Sequence, residues 1–511
     1  MNKKYFITGF LILFSLFTGC KDNEENFPLP VISGINEKYV VSVDENLELT
    51  PDIANDNSST YSWALGGSEV ANTRKYTFQA SLAGSYNVSL AVTNKGGTAE
   101  KDILINVYEN VVKVSTSTYT ILTLETPAHL TNLDNIQWAV LDTPSDLYRL
   151  SYDDTGVPMF IAAEEGVYHL QVTDGDNNAE IIIEVQEPEK TLTSYISEVF
   201  DYLPAPGQFV NILPRYVAGD TREDMIRKVG ESLIGDDAYA ITLGGWGGYV
   251  TFGFDHTIVN VQGKRDFRIR GNAFGAETAR PGAPFGGSCE PGIIMVAYDK
   301  NKNGKPDDDE WYEIKGSSNF SAEEEPWYGI AMENGNDMRV FRDYEMTYHR
   351  PDKETPEISD PNSFITIQNY IRWEDNKSNS GYKAKNTYHN QTYYPGWVDE
   401  DKLTYSGIRL PENGINEGAS MPGADESNIY FVLYGFRYGY VDNYPNADDN
   451  SGIDIDWAID SDGNKADLPG IDFVKVYSGV NQENGGIGEC STEVERGEDL
   501  HMLGVDIDTV K

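Results

Sequence analysis

The sequence predicts a mainly β protein: two small β-sandwiches in tandem, then one large jelly-roll-like β-sandwich domain with a few helices. Three observations carry this. Apolar and polar residues alternate in short runs bounded by Gly, Asn and Asp, the period of half-buried strands. One such pattern recurs about 75–82 residues further on, the size of a single sandwich. After residue 190 two helical patterns precede a long series of strand-like runs. The 511 residues exceed one ordinary core, and 39% hydrophobic with 12% aromatic content can fill several β domains.

Charge narrows the partners. With 39 Lys and Arg against 82 Asp and Glu, the formal charge is −43. Such a surface repels nucleic acid and anionic lipid, and no basic stripe tracks a phosphate backbone. No nucleic-acid partner is expected.

At the N-terminus, Lys3 and Lys4 precede an apolar run from Tyr5 to Phe17, then Thr18-Gly19-Cys20. Residues 1–19 read as a secretory signal, because the run is too short for a membrane span. Phe17-Thr18-Gly19-Cys20 resembles a bacterial lipobox, which implies lipidation of Cys20 and membrane attachment through the lipid anchor only. The acidic Lys21-Asp22-Asn23-Glu24-Glu25 resembles the export tag that places Bacteroidota lipoproteins on the outer face of the outer membrane. The alternative is a plain solvated tether, which residues 20–30 form in either case.

The first sandwich is expected over residues 31–109. Tyr61-Ser62-Trp63-Ala64-Leu65 alternates up to Gly66-Gly67, and Gly84 to Val92 alternates again before Asn94-Lys95-Gly96-Gly97. This stretch resembles a PKD domain, an Ig-like module, with Trp63 in the core and Tyr86 a core or corner residue. Trp138 and the run from Gly166 to Val172 repeat the pattern, so residues 110–187 form a second PKD-like unit. Tandem modules of this kind serve as spacers or partner-binding units.

The large domain is expected over residues 191–511. Ile196, Val199, Phe200 and Leu203 fall at helical spacing between Thr191 and Pro204, and a second helix opens at Asp220-Thr221 with Met225, Ile226, Val229 and Leu233 on one face. Strands follow, among them Tyr249 to Phe252, Ile293 to Val296, Ile453 to Trp457 and Phe473 to Tyr477.

Asp299-Lys300-Asn301-Lys302-Asn303-Gly304 through Glu310 matches the calcium-loop pattern of EF-hands. Asp299, Asn301 and Asn303 offer side-chain oxygens at positions one, three and five, and Lys305 a carbonyl at seven. Asp307 acts at nine and Glu310 reaches back with two oxygens at twelve. The loop follows a strand, so the expected cofactor is a structural calcium ion without the helix-pair switch. The other reading is an empty polar turn between strands. Asp460-Ser461-Asp462-Gly463-Asn464 leaves a second ion open, although no Glu completes it.

No catalytic residues are assigned. The six histidines are scattered, Asp255-His256 lacks a nucleophile, and carboxylates are too abundant for a glycosidase pair to stand out. Ligand binding is placed instead on Tyr388, His389, Gln391, Tyr393, Tyr394 and Trp397, where rings and amides mix, and on Trp246 in the turn from Gly244 to Gly248. Each ring has the alternative of packing inward. Cys289 and Cys490 are either a disulfide, closing a loop of about two hundred residues and contributing about 4–5 kcal/mol, or two buried thiols.

The segments Pro204 to Asn211, Leu243 to His256, Asp266 to Phe274, Glu290 to Glu313 and Leu468 to Gln482 resemble a family of Bacteroidota cell-surface lipoproteins. That resemblance brings no catalytic residues, and implies proteins that accompany outer-membrane uptake systems for scarce nutrients, corrinoids among them. The expected function is therefore capture of a small-molecule or glycan ligand at the cell surface for an outer-membrane transporter. A calcium-dependent glycan-active enzyme and an adhesin for host or neighbouring cells are the alternatives.

Overall fold

The protein is mainly β, with two α-helices among the described residues. The structure, a computed structural model, describes residues 27–236, 239–276, 280, 282–352, 365–421, 423 and 428–509. The expected signal segment and Cys20 lie outside them. Two compact units result: residues up to 112 with 178–180, and residues 113–177 with 181–511.

In the first unit, alternation places Val88, Leu90 and Val92 of Gly84–Asn94 on one face, beside Ile103, Ile105 and Val107 of Gly97–Tyr108. These strands belong to a five-stranded sheet in which Lys38–Ser42 runs parallel to Gly97–Tyr108. Leu49, Ile53 and Phe78 close the core from the shorter strand pairs, making a sandwich around the buried Trp63. Trp63 is tolerated there because its Nε1–H donates to the Thr73 carbonyl at 2.9 Å.

The tyrosine of the repeated pattern has one job in both copies. Tyr86 donates its hydroxyl to the carbonyl of Leu82 at 3.0 Å, and Tyr168 donates to that of Glu164 at 2.9 Å, each four residues upstream. This is the corner bond of Ig-like sandwiches.

The second sandwich pairs Gln137–Asp142 with Gly166–Thr173, and Pro158–Ala162 with both Tyr148–Tyr152 and Leu122–Thr123. It is no free-standing spacer, since it shares a compact unit with the large domain. Ile161 and Ala163 pack against Val259 and Val261, and Arg149 reaches Asp456 at 2.8 Å and Asp467 at 2.7 Å.

The large domain is built on one antiparallel sheet. Its strands are β1 (Glu198–Leu203), β2 (Tyr249–Val259), β3 (Gly292–Ala297), β4 (Trp311–Ile314), β5 (Ala458–Ile459) and β6 (Gly470–Ser478), in spatial order β1-β2-β6-β3-β4-β5. Both faces are covered, which explains the unbroken apolar run of β3. Ile294 and Val296 enter a core shared with Met225, Val229 and Leu233 of helix α1 (Arg222–Leu233). Ile293 and Tyr477 enter another with Leu410, Val432 and Tyr434, close to the short helix α2 (Tyr328–Asn334) and its Ala331. A third core, rich in tyrosine, lies under the sheet of Phe341–His349, Ile365–Asp375, Ser380–Asn386 and Lys402–Arg409.

Helix α1 starts where expected. The Thr221 side chain accepts from the Asp224 N–H, and Asp224 accepts from the Thr221 N–H, a reciprocal capping box. Two other expectations are corrected. Of the helical pattern, Val199, Phe200 and Leu203 belong to strand β1, whose ladder with β2 shifts register between Val199 and Asp201, and Ile196 precedes the strand. That irregularity offsets the two-residue alternation, so the apolar positions fall three and four apart and imitate a helix. The run Ile453 to Trp457 is likewise no continuous strand: after Gly452–Ile453 it turns into the 3₁₀ segment Ile455–Trp457. The Asp454 carboxylate accepts from the Asp456 N–H and offers the backbone an alternative to a ladder.

Candidate functional site

That 3₁₀ turn has a consequence for chemistry, because it presents Asp456 and Trp457 at the sheet edge next to β5. The Lys315 N–H donates to the Trp457 carbonyl at 2.9 Å, holding the end of β4 against the turn. Around it opens a cleft of about 640 Å³ bordered by Arg265, Lys315, Arg437, Tyr438, Asn450, Asp456, Trp457 and Lys465. The rings of Tyr438 and Trp457 are 5.0 Å apart at 47°, both half-buried.

Four cationic side chains border this cleft against one carboxylate, in a chain where acids outnumber bases about two to one. Arg265 is only 2% exposed. Its Nη1 donates to the carbonyls of Asp449 (2.6 Å) and Gly452 (3.1 Å), its guanidinium lies 5.6 Å from the Trp457 ring, and its Nε is buried without a hydrogen-bond partner. Burial pulls its pKa down; Asp449, Asp454 and Asp448 act in the opposite sense, and no carboxylate among the described residues pairs with it directly. Lys315 is exposed, with its ammonium 4.7 Å from the Phe320 ring. Arg437 meets Glu324 at 3.0 Å and Glu325 at 3.8 Å, while Lys465 meets Asp456 at 3.4 Å. Asp456 is already engaged by Arg149; burial would raise its pKa, but Arg149, Asn260 and Lys465 together outweigh that and hold the carboxyl below its ordinary range. Sequence reasoning did not find this site. Its residues come from five separate segments, and the available signal was scarce cations beside rings, as in Arg437-Tyr438.

The 299–310 loop joins β3 to β4 and closes on itself. Asp299 accepts from the N–H groups of Asn303 (3.0 Å) and Gly304 (2.7 Å), and Asn301 accepts from that of Asn303. Asn301 and Asn303 both donate amide hydrogens to Asp307 Oδ2 at 2.7 Å. Glu310, 2% exposed, ties the two ends by accepting from Lys300 and Asp307. Gly304 has φ 75°, with open space where a Cβ would sit. The side chains of Asp299, Asn301, Asn303, Asp307 and Glu310 are thus engaged in closing the loop, and the carboxylate oxygens of Asp299, Asp307 and Glu310 do not gather within 4.8 Å of one another. The Asp460 turn is satisfied internally, with Asp460 accepting from Asp462 and Asn464.

A second acidic group was invisible in the sequence. Glu290, Asp442 and Glu493 are all buried, with one carboxylate oxygen from each within 4.8 Å of the others, the single such set among the described residues. Neutral donors surround them: Ser491 N–H and Ser288 hydroxyl on Glu290, Asn272 and Glu493 N–H on Asp442, Asn272 amide and Ser491 hydroxyl on Glu493. Burial, then mutual repulsion, raises Asp442 and Glu493 well above the carboxylate range; burial pushes Glu290 up to about 7. Such a trio can share protons or hold a cation.

Cys289 and Cys490 flank this group as two buried free thiols, which corrects the disulfide alternative. Burial, reinforced by Glu290 and Asp442, pushes both thiols up, so the thiolate that disulfide chemistry requires is suppressed.

The expected ring platform is also corrected. Trp246, Tyr393 and Tyr394 are core residues with satisfied polar ends: Trp246 Nε1 donates to Ile408, the Tyr393 hydroxyl to Asn386 and the Tyr394 hydroxyl to Glu400. The turn from Gly244 to Gly248 lacks side-chain volume, and rings fill the space; a Cβ on Gly247 would sit 2.5 Å from that of Tyr405. Gln391 donates to the Gln208 carbonyl, His389 packs edge-on against Phe209 at 4.7 Å, and the half-buried Trp397 lies 6.0 Å from Tyr202. Tyr388 alone of the set is freely exposed, at 66%. His256 is clamped between Asp255 (3.0 Å) and Asp499 (2.8 Å), buried beneath the Tyr119 ring.

A PKD-like domain family matches residues 30–94, so this part of the chain is a PKD-like domain. No curated protein matches the chain. Among solved structures, an I-band fragment of titin is similar at 12% identity, over 32% of this chain and 69% of that one, with a TM-score of 0.15. The PKD domain of human KIAA0319 is similar at 12% identity, over 18% of this chain and 90% of that one, with a TM-score of 0.14. A quinonprotein alcohol dehydrogenase-like protein from Bacteroides thetaiotaomicron is similar at 14% identity, over 35% of this chain and 42% of that one, again at 0.14.

Proposed function

We propose that the protein is a cell-surface lipoprotein that captures a small-molecule or glycan ligand and delivers it to an outer-membrane uptake system. The observation that carries this reading is the cleft of about 640 Å³ beside Trp457, whose size falls in the roughly 300–1,000 Å³ range of small-ligand sites. Half-buried rings supply contact area, and the surrounding charged groups and the Asn450 amide supply orientation. Strand ends and a capped 3₁₀ turn form its walls, so its groups are held before a ligand arrives. In this reading Cys20 carries the lipid, and the PKD-like domain at residues 30–94 belongs to the surface-exposed part.

Calcium is part of the proposal as a structural ion in the 299–310 loop, with Asp299, Asn301, Asn303, Asp307 and Glu310 as side-chain ligands and the Lys305 carbonyl completing the set. The ion would fix the connection between β3 and β4.

The test has two arms. Palmitate labelling and protease shaving of cells expressing the full chain should mark it as lipidated and exposed, and Cys20→Ala should abolish both signals. Calorimetric titration of the purified chain with soluble oligosaccharides should show saturable binding without product formation. Turnover would move the reading to the glycan-active enzyme, and retention on cells without saccharide binding would move it to adhesion.

A further inference from the structure

The cleft beside Trp457 runs against the character of the molecule. A chain of formal charge −43 would be expected to border its cavities with carboxylates. Here Arg265, Lys315, Arg437 and Lys465 converge, and the one carboxylate among them, Asp456, is drawn to Arg149 at 2.8 Å. Arg437 and Lys465 have acidic neighbours at 3.0 and 3.4 Å. Arg265 and Lys315 pair with no carboxylate among the described residues.

Arg265 is the decisive group. Removing a guanidinium from water is costly unless it gains hydrogen bonds. Two backbone carbonyls hold Nη1 and fix the guanidinium of a side chain that borders the cleft. A guanidinium fixed in this way is preorganised for charge-assisted bonds to a carboxylate or sulfate.

We infer that this cleft binds an acidic saccharide, with its carboxylate or sulfate at Arg265 and Lys315 and a sugar face against Trp457 and Tyr438. The inference rests on the binding reading above and supplies the ligand class. The rings account for a sugar body: tilted by 47° and half-buried, they offer two apolar walls to a puckered ring. Overall charge favours a short ligand. A long polyanion would run out over the acidic surface, whereas a short one meets mainly the charges within a Debye length of about 8 Å.

Calorimetry on the full chain with three probes decides the matter: trigalacturonate, a sulfated chondroitin disaccharide and neutral maltotriose. At least one acidic probe should bind tenfold or more tightly than maltotriose, and which one does so identifies the anionic group. Lys315→Glu, an exposed change, should weaken that probe at least tenfold while leaving the melting temperature unchanged; Arg265→Lys should weaken it through loss of the guanidinium fork. Should Arg265→Lys not fold, Lys315→Glu still decides. Equal binding of maltotriose, or an acidic probe indifferent to Lys315→Glu, overturns the inference and leaves the binding reading standing. No binding of any probe overturns both.

Discussion

Arg149 of the second sandwich and Asp456 of the large domain, 307 positions apart in sequence, meet through Nη2 and Oδ1 at 2.8 Å. Both side chains are largely buried, and Arg149 also holds Asp467 at 2.7 Å. Burial alone would lower the Arg149 pKa; the two carboxylates more than offset it, so the group ends above its ordinary value.

Arg149→Met should therefore destabilise the second unit by about 2–4 kcal/mol, since it strands Asp456 without its main partner. Urea unfolding measures this, and a double-mutant cycle with Asp456→Asn should return a coupling of at least about 1 kcal/mol. An unchanged midpoint would mean that the two modules are held by their apolar contact alone.

Glu290, Asp442 and Glu493 set a pH dependence. The unfolded chain releases the Glu290 proton near the ordinary value of 4.5, whereas the folded chain keeps it to about 7. Between those values the unfolded state binds fewer protons, so stability falls as pH rises, by about 3–4 kcal/mol from Glu290. In chelator, Glu290→Gln should melt higher than the parent at pH 8 and match it at pH 4.5. A lower melting temperature at pH 8 would show that the charge at Glu290 is wanted there.

For the 299–310 loop, 5 mM calcium should raise the melting temperature of the full chain relative to chelator. Extracellular calcium modules bind at about 0.1–1 mM, which makes this worth about 1–2 kcal/mol. Asp299→Ala combined with Glu310→Ala should make the two melting curves coincide. A calcium response that survives this double change would locate the ion elsewhere, with the buried trio the first place to look.

Cys289 and Cys490 should not react with Ellman's reagent in the native chain, and both should react after unfolding in guanidinium. Burial and the neighbouring carboxylates suppress the thiolate in the fold. A band shift on non-reducing gels that vanishes with reductant would contradict this.

Much of the fold could be read from local pattern. Trp63 and Tyr86 announced one sandwich because their strands alternate, Tyr168 a second because it repeats the Gly-x-Tyr pattern, and Thr221 with Asp224 announced helix α1 because capping is a local exchange of hydrogen bonds. Pattern failed where the backbone departs from its period. The irregularity between Val199 and Asp201 imitated a helix, and the Asp454 cap turned an alternating run into a 3₁₀ segment. The sites were less legible. A ring in sequence gives no sign of which way it faces, so Tyr393 and Tyr394 read like Tyr388 although two are core and one is exposed. Arg265, Lys315 and Trp457, like Glu290, Asp442 and Glu493, meet only through the sheet.

The seating of the second sandwich decides where this chain can be cut. Severing it after Lys190 would leave Val259 and Val261 facing water without Ile161 and Ala163, and His256 without the ring of Tyr119. The last 320 or so residues would carry a sticky scar and clump during purification. The smallest piece worth isolating begins near residue 113, where the second unit begins.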